Sequence, residues 1–182
     1  MSQPIPGGRR RVDRVLGEDF LTGLSDLDLG ELRHRRADAD QEETDLSFIR
    51  RMLQGRIDLL VGEIDRRDRG EPAPSLQDRL TAAMGGEERS TRGSGRHLDN
   101  EPSRLGEYRR AAERLAGTVA FSDPASLSDE ALAAAVQRLR TQEAEVSDLR
   151  RRVQTVADVL HEEMGRRMAA ELPDQAEETA AP

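Results

Sequence analysis

Five polar residue types recur twice along this chain with identical spacing. The pattern is Glu-x3-Ser-x2-Arg-x3-Gln-x3-Asp, and its second copy lies one hundred residues after the first. The two copies are Glu43, Ser47, Arg50, Gln54 and Asp58, and Glu143, Ser147, Arg150, Gln154 and Asp158. A guanidinium suits the O6 and N7 acceptors of guanine, a carboxylate suits its N1 and N2 donors, and Ser or Gln can bind ribose or phosphate. The residue types therefore indicate recognition of a guanine nucleotide.

The spacing of each copy predicts that a helix displays it. At about 100° per residue, steps of four, three, four and four keep all five side chains within a stripe roughly 80° wide. A second, apolar stripe runs beside it in both copies. Its residues are Leu46, Ile49, Leu53, Ile57, Leu60 and Ile64, matched by Val146, Leu149, Val153, Ala157, Leu160 and Met164. This arrangement is typical of a coiled-coil seam with a polar flank.

The polar flanks share one surface only if the two helices run antiparallel. A parallel pair would place them on opposite sides, whereas an approximate two-fold axis across an antiparallel pair brings like flanks together. We expect Arg50 and Arg150 to lie near that axis, with Glu43 toward Asp158 and Asp58 toward Glu143. Such a site would suit a two-fold symmetric guanine ligand.

The motifs therefore require two long helices. We expect an all-α fold in which these helices form an antiparallel coiled coil. The first helix is expected over 24–70, with Ser25 as N-cap, and Gly70 and Pro72 end it. The second is expected over 125–171, starting at Leu127-Ser128-Asp129 and ending before Pro173.

We expect little regular secondary structure in the remaining segments. Residues 1–23 form a flexible N-terminal arm whose apolar residues could dock on another surface; these are Val12, Val15, Leu16, Phe20 and Leu21. Residues 71–124 form a Pro/Gly-rich linker in which 103–116 has the spacing of a short helix. Residues 172–182 form a disordered acidic tail.

Composition narrows the function classes. The 182 residues are 35% hydrophobic, 2% aromatic and 35% charged, too few apolar groups for a thick core. The chain has no cysteine, which excludes disulfides, and no long apolar run, so we expect a cytoplasmic protein without membrane contact. A net charge of −8 disfavours direct nucleic-acid binding. Two different motif copies on one chain favour a monomer, although exchange of helices between two chains could assemble the same site.

Catalytic and metal signals are weak. The sequence Gly85-Gly86-Glu87-Glu88 is similar to the signature of cyclic di-GMP synthases, but Arg89 replaces its aromatic residue and no strand pattern surrounds it. A zinc-protease helix needs a second histidine that the segment starting at His161 lacks. We expect neither an enzyme nor a metal site.

The doubled motif resembles that of the RsiG family of cyclic di-GMP-dependent anti-sigma factors from sporulating filamentous actinobacteria. Both copies match without a substitution. The resemblance implies an antiparallel coiled coil that binds a dimer of cyclic di-GMP through the ten motif residues. It also implies that the loaded protein holds a flagellar-type sporulation sigma factor, WhiG in that family, away from RNA polymerase. No residue of the arm, linker or tail receives a sigma-contacting role from it.

The alternative is a structural coiled-coil adaptor. Charged stripes beside a helix seam are ordinarily solvated or form interhelical salt bridges, and such a protein would bind no nucleotide. One stripe alone would favour this interpretation, but the second copy in the same register favours a ligand.

Overall fold

Two long helices packed against each other make up most of the fold. The structure is a computed structural model that describes residues 4–72 and 124–171. In chain order the helices are α1 Arg11–Val15, α2 Leu29–Asp68 and α3 Asp129–Glu171, with 3-10 turns at Glu18–Leu21, Leu24–Asp26 and Pro124–Ser126. The predicted all-α antiparallel pair is confirmed. The short helix expected over 103–116, the rest of the linker and the tail lie outside the described residues.

The chain divides into two compact units, and each long helix contributes to both. The first unit comprises Met1–Phe48 and Glu145–Pro182, and the second comprises Ile49–Ala144. The first unit thus contains the start of α2 and most of α3, and the second contains the end of α2 and the start of α3.

Equivalent residues cap the two long helices. Ser128 Oγ accepts from Ala131 N at 3.2 Å, within the stretch Leu127-Ser128-Asp129 where the second helix was expected to start. At the start of α2 the cap is Asp28, whose Oδ1 accepts from Glu31 N at 2.7 Å. The expected cap, Ser25, is wrong, because it lies within the 3-10 turn before the helix. Asp28 and Ser128 are one hundred residues apart, so the repeat extends to the helix starts.

The end of α2 follows from Gly70. This residue has φ +66°, which a side chain would disfavour, and its N–H donates to Arg67 O at 2.9 Å. Glu71 N donates to Arg66 O at 3.1 Å. The two bonds form a Schellman motif, and Pro72 cannot continue the helix. The predicted stop at Gly70 is confirmed.

The apolar stripe forms the core of both units. In the first unit Leu46, Val153 and Leu160 are fully buried, and in the second unit Leu53 and Leu60 are. The buried series continues toward both helix starts, where Leu32 and Leu132 are equivalent across the repeat. The predicted positions Ile57, Ile64 and Ala157 are only half-buried.

Residues 4–21, hereafter the N-terminal strap, fold in the first unit around the carboxylate of Asp13. This side chain is buried and accepts Arg10 Nη2 at 2.6 Å and Ile5 N at 2.8 Å. The Arg10 guanidinium lowers the pKa of Asp13 to about 2. A Cβ on Gly8 would lie 2.3 Å from Asp13 Oδ2, so only glycine fits there. The strap carries α1 and a 3-10 turn.

The strap docks on α2 of its own chain. Val12 and Val15 are buried, as expected for residues able to dock. Arg11 Nη1 contacts Asp45 Oδ2 at 2.9 Å and Glu42 Oε2 at 3.7 Å, and both carboxylates are fully buried. A buried carboxylate needs a nearby cation, and the single positive charge of Arg11 is shared between these two carboxylates. No pattern in the sequence predicted this cluster.

A second repeated cluster, hereafter the clamp, consists of one glutamate and the two arginines three and four residues after it. It joins the end of one long helix to the segment before the other. In the second unit Glu63 Oε1 accepts Arg66 Nη2 and Arg67 Nε, each at 2.7 Å. Arg67 also donates to Ala125 O at 3.1 Å and to Asp129 Oδ1 at 2.7 Å. Arg67 therefore holds the turn from which α3 starts.

The same clamp recurs in the first unit. Glu163 Oε1 accepts Arg166 Nη2 at 2.6 Å and Arg167 Nε at 2.7 Å. Arg167 donates to the carbonyls of Leu24 and Leu27, in the turn before α2. The neighbouring arginines, Arg66 and Arg166 first, lower the pKa of Glu63 and of Glu163 to about 2.

The clamps predict an acid-sensitive contribution to stability. Because folding lowers the two pKa values from 4.5 to about 2, this contribution is complete above pH 4.5 and is lost as the pH falls to about 2. We expect Glu63→Gln to lower the Tm at pH 6 and to differ little from wild type near pH 2. Circular dichroism melts across this range test it, with Asp65→Asn, an exposed change in the same helix, as control. A Tm difference for Glu63→Gln that does not narrow at low pH would contradict it.

Candidate nucleotide-binding site

The first unit brings Glu43 together with residues of both motif copies. Glu43 Oε1 accepts Arg150 Nη1 at 2.9 Å and Ser47 Oγ at 2.8 Å. The Glu43 and Arg150 side chains are 26% and 29% exposed, so water reaches the pair. α2 and α3 position these groups on the polar flank of the buried seam residues Leu46 and Leu149.

The second unit contains the equivalent group. Glu143 Oε1 accepts Arg50 Nε at 3.0 Å and Gln54 Nε2 at 3.3 Å. Glu143 and Arg50 are 22% and 36% exposed. Each unit therefore holds one interhelical Glu–Arg pair made from the same motif positions, Glu of one copy and Arg of the other.

The pairing register differs from the expected one. Glu43 was expected toward Asp158, but it faces Arg150, eight residues earlier on α3 and thus about 12 Å away along the helix axis. Likewise Glu143 faces Arg50 instead of Asp58. The motif spacing defines a face of each helix but not which turn lies opposite. Packing of the buried seam residues determines that register.

Three motif residues extend beyond these pairs. Asp58 in the second unit, and Gln154 and Asp158 in the first, are exposed and make no hydrogen bond to another described residue. The fourth such position, Gln54, contacts Glu143. The exposed carboxylates are therefore accessible to donors of a ligand.

One arginine donor is buried without an acceptor. Arg150 Nε has almost no contact with solvent and no hydrogen-bond partner among the described groups. Its counterpart in the second unit, Arg50 Nε, donates to Glu143. Because an unpaired buried donor costs free energy, the Arg150 pair is less completely hydrogen-bonded than the Arg50 pair.

The described ranges hold neither a candidate metal site nor a candidate membrane span. Residues 4–72 and 124–171 contain no group of three His, Asp or Glu able to hold a metal ion. No helix of these ranges is long and apolar enough to cross a membrane.

Comparison with known proteins decides the family. A family model described as RsiG-like matches residues 18–84 and 118–180. The chain belongs to the RsiG-like family. The two matched segments contain both motif copies and both clamps, and no curated protein matches the chain. Membership implies an anti-sigma-factor role, and RsiG-like proteins are regulatory, not catalytic.

The Glu–Arg pairs of this RsiG-like chain are expected to contribute little to folding. Partly exposed ion pairs stabilise proteins by at most about 1 kcal/mol, so Glu43→Gln and Glu143→Gln should each cost less than that. Urea denaturation tests this, with Leu53→Ala as the comparison because deleting a buried leucine costs about 2–5 kcal/mol. A loss above about 2 kcal/mol for either glutamine variant would show that the pairs hold the fold together.

Proposed function

We propose that this chain is an anti-sigma factor that binds cyclic di-GMP through its duplicated motifs. When loaded, it sequesters a flagellar or sporulation-type sigma factor, WhiG-like, from RNA polymerase. The observation that carries the proposal is the recurrence of one Glu–Arg group, built from the same motif positions, in both units of an RsiG-like chain.

The chemistry of each group suits guanine. Arg50 donates only its Nε within the described residues, so its two Nη groups can bind O6 and N7. The exposed Asp58 and Asp158 can accept from N1 and N2. Gln154 is exposed and can donate to ribose or phosphate. Together the ten motif residues exceed what one cyclic dinucleotide needs, which favours a dimer of the ligand.

The charge of the motifs restricts how an anionic ligand can bind. Each motif carries two carboxylates and one arginine, so its net charge stays negative whether or not the glutamate is paired. We therefore expect Asp58 and Asp158 to face guanine donors and the motif arginines to meet the phosphates.

A structural coiled-coil adaptor is the second candidate, since interhelical Glu–Arg pairs are what it requires. It treats the exposed Asp58, Gln154 and Asp158 as ordinary solvated residues, but it does not explain why the same five residue types recur at the same spacing in both copies. Ligand binding gives the repeated positions a role.

Titration calorimetry with cyclic di-GMP tests the ligand. We expect binding by the full chain, and weakening by about 1–3 kcal/mol in Arg50→Ala and in Arg150→Ala, the value for losing a bidentate contact to guanine. Arg140→Ala, an exposed change on α3 outside the motifs, is the control and should bind as wild type does. No binding by wild type, alone or with the sigma factor present, would favour the adaptor. Normal binding by both arginine variants would exclude base recognition by these side chains.

Copurification with the sigma factor tests the gating. We expect capture of a WhiG-like sigma factor only when cyclic di-GMP is present, because ligand and partner must strengthen each other's binding equally. Asp58→Asn combined with Asp158→Asn should reduce capture at limiting ligand and restore it at saturating ligand. Equal capture with and without ligand would contradict the gating while leaving the anti-sigma role intact.

A further inference from the structure

A groove lies on the flank of α2 opposite to the motif in the second unit. Steps of about 100° per residue place Met52 and Leu59 on one side of the buried seam residue Leu53, and the motif residues of this helix on the other. The groove, hereafter the second-unit groove, has a volume of about 370 Å³. Leu59 is 64% exposed there. The lining includes Arg51, Met52, Gly55, Arg56, Leu59 and Pro124.

The equivalent flank of the first unit receives a segment that contains a helix. At the offset of one hundred residues, the groove positions Met52, Gly55 and Arg56 correspond to Arg152, Thr155 and Val156 on α3. These three α3 residues line one groove with residues of the N-terminal strap. The strap contains the short helix α1, and the valines of that helix are buried. This flank of a long helix is therefore suited to receive a helix.

Two glycines lie on the same side of α2 as the groove. Gly55 and Gly62 are within the helix, four residues before Leu59 and three residues after it. A Cβ added to either glycine would meet no described atom within 4 Å. Glycine destabilises a helix interior relative to alanine, and packing among the described residues does not require it here. The missing side chains leave room for the backbone of another molecule to approach closely.

The second-unit groove is basic, although the chain is acidic. The chain has 36 acidic and 28 basic residues, whereas the described residues that line the groove include Arg51 and Arg56 and no carboxylate. A two-fold contact between the grooves of two copies would bring these arginines together, and like charges repel. Charge complementarity therefore favours a partner that carries carboxylates.

We propose that the second-unit groove binds an acidic amphipathic helix of the sequestered sigma factor. Apolar side chains of that helix pack on Met52 and Leu59, its backbone approaches closely at Gly55, and its carboxylates pair with Arg51 and Arg56. This inference rests on the proposed function, because it names the surface through which the anti-sigma factor holds its partner. The groove and the motif of α2 lie on opposite flanks, so the ligand does not compete for the groove.

Capture of a WhiG-like sigma factor at saturating cyclic di-GMP tests the groove. Leu59→Asp places a charge in it and Gly55→Leu fills it, and each should weaken capture at least about tenfold, as expected for an interface anchor. Met168→Asp and Gly165→Leu are the matched controls in the first unit and should change capture by no more than about twofold. Met168 is 56% exposed, and a Cβ on Gly165 would also meet no described atom within 4 Å.

The Gly55→Leu variant separates docking from folding. Leucine has a higher helix propensity than glycine, so the Tm should be no lower than that of wild type while capture is lost. Calorimetry without the sigma factor should show unchanged cyclic di-GMP binding for Gly55→Leu and for Leu59→Asp. Arg56→Glu should lower the association rate with the sigma factor and reduce its dependence on salt.

A photoreactive p-benzoyl-phenylalanine in place of Leu59 identifies the occupant of the groove. We expect crosslinks to an acidic helical segment of the sigma factor, which mass spectrometry locates. Crosslinks found only within one chain or only between two copies would overturn the proposal, as would capture by Leu59→Asp and Gly55→Leu equal to that of wild type. If the wild-type chain captures no sigma factor at saturating ligand, the proposed function itself fails and the groove assignment fails with it.

Discussion

The rest of the structure depends on the apolar seam between two antiparallel helices. It buries Leu46 and Val153 in the first unit and Leu53 and Leu60 in the second, in a chain with few apolar residues. Because the chain cannot build a thick core, nearly all its hydrophobic stabilisation comes from this line of contacts. The seam determines the register, and the register decides that Glu43 faces Arg150 and Glu143 faces Arg50. A change of register by one turn would separate both pairs.

Carboxylates in the core and carboxylates on the polar flank of the seam differ in burial. The buried Glu42 and Asp45 share Arg11, and the buried Glu63 contacts Arg66 and Arg67, so these carboxylates lie in compact clusters with arginine. The motif pairs are instead partly exposed to solvent. Buried clusters suit a structural role, whereas solvent-exposed pairs can exchange a protein partner for another one at a smaller cost in free energy.

The sequence predicted the features that depend on local periodicity. Helix positions, the end at Gly70, the cap at Ser128 and most seam residues follow from spacing and from the chemistry of single residues. Spacing does not predict that Asp28 caps the helix instead of Ser25, because both residue types can act as N-cap. The choice depends on tertiary contacts, namely the burial of Leu32 and the hydrogen bond from Arg167 to Leu24 O in the turn before α2.

Contacts between residues distant in sequence also determine the strap and the pairing of the motifs, and local spacing does not predict such contacts. Glu42 and Asp45 are residue types expected on a solvated face, and their burial involves Arg11, which is distant in sequence. The motif carboxylates and arginines were identified from spacing, but the turn on which they meet depends on side-chain packing across two helices. The repeat at an offset of one hundred residues relates the caps and the clamps of the two halves as well as the motifs. Once one cap or clamp is known, the repeat predicts the residues of the other.

The two clamps also differ in how much chain each must close. The bond from Arg67 to Asp129 spans 62 residues, whereas the bond from Arg167 to Leu24 spans 143. Closing a loop a little more than twice as long costs about 0.6 kcal/mol more in chain entropy. Contacts of shorter sequence separation also form sooner during folding. Shorter loop closure therefore favours formation of the second unit before the first.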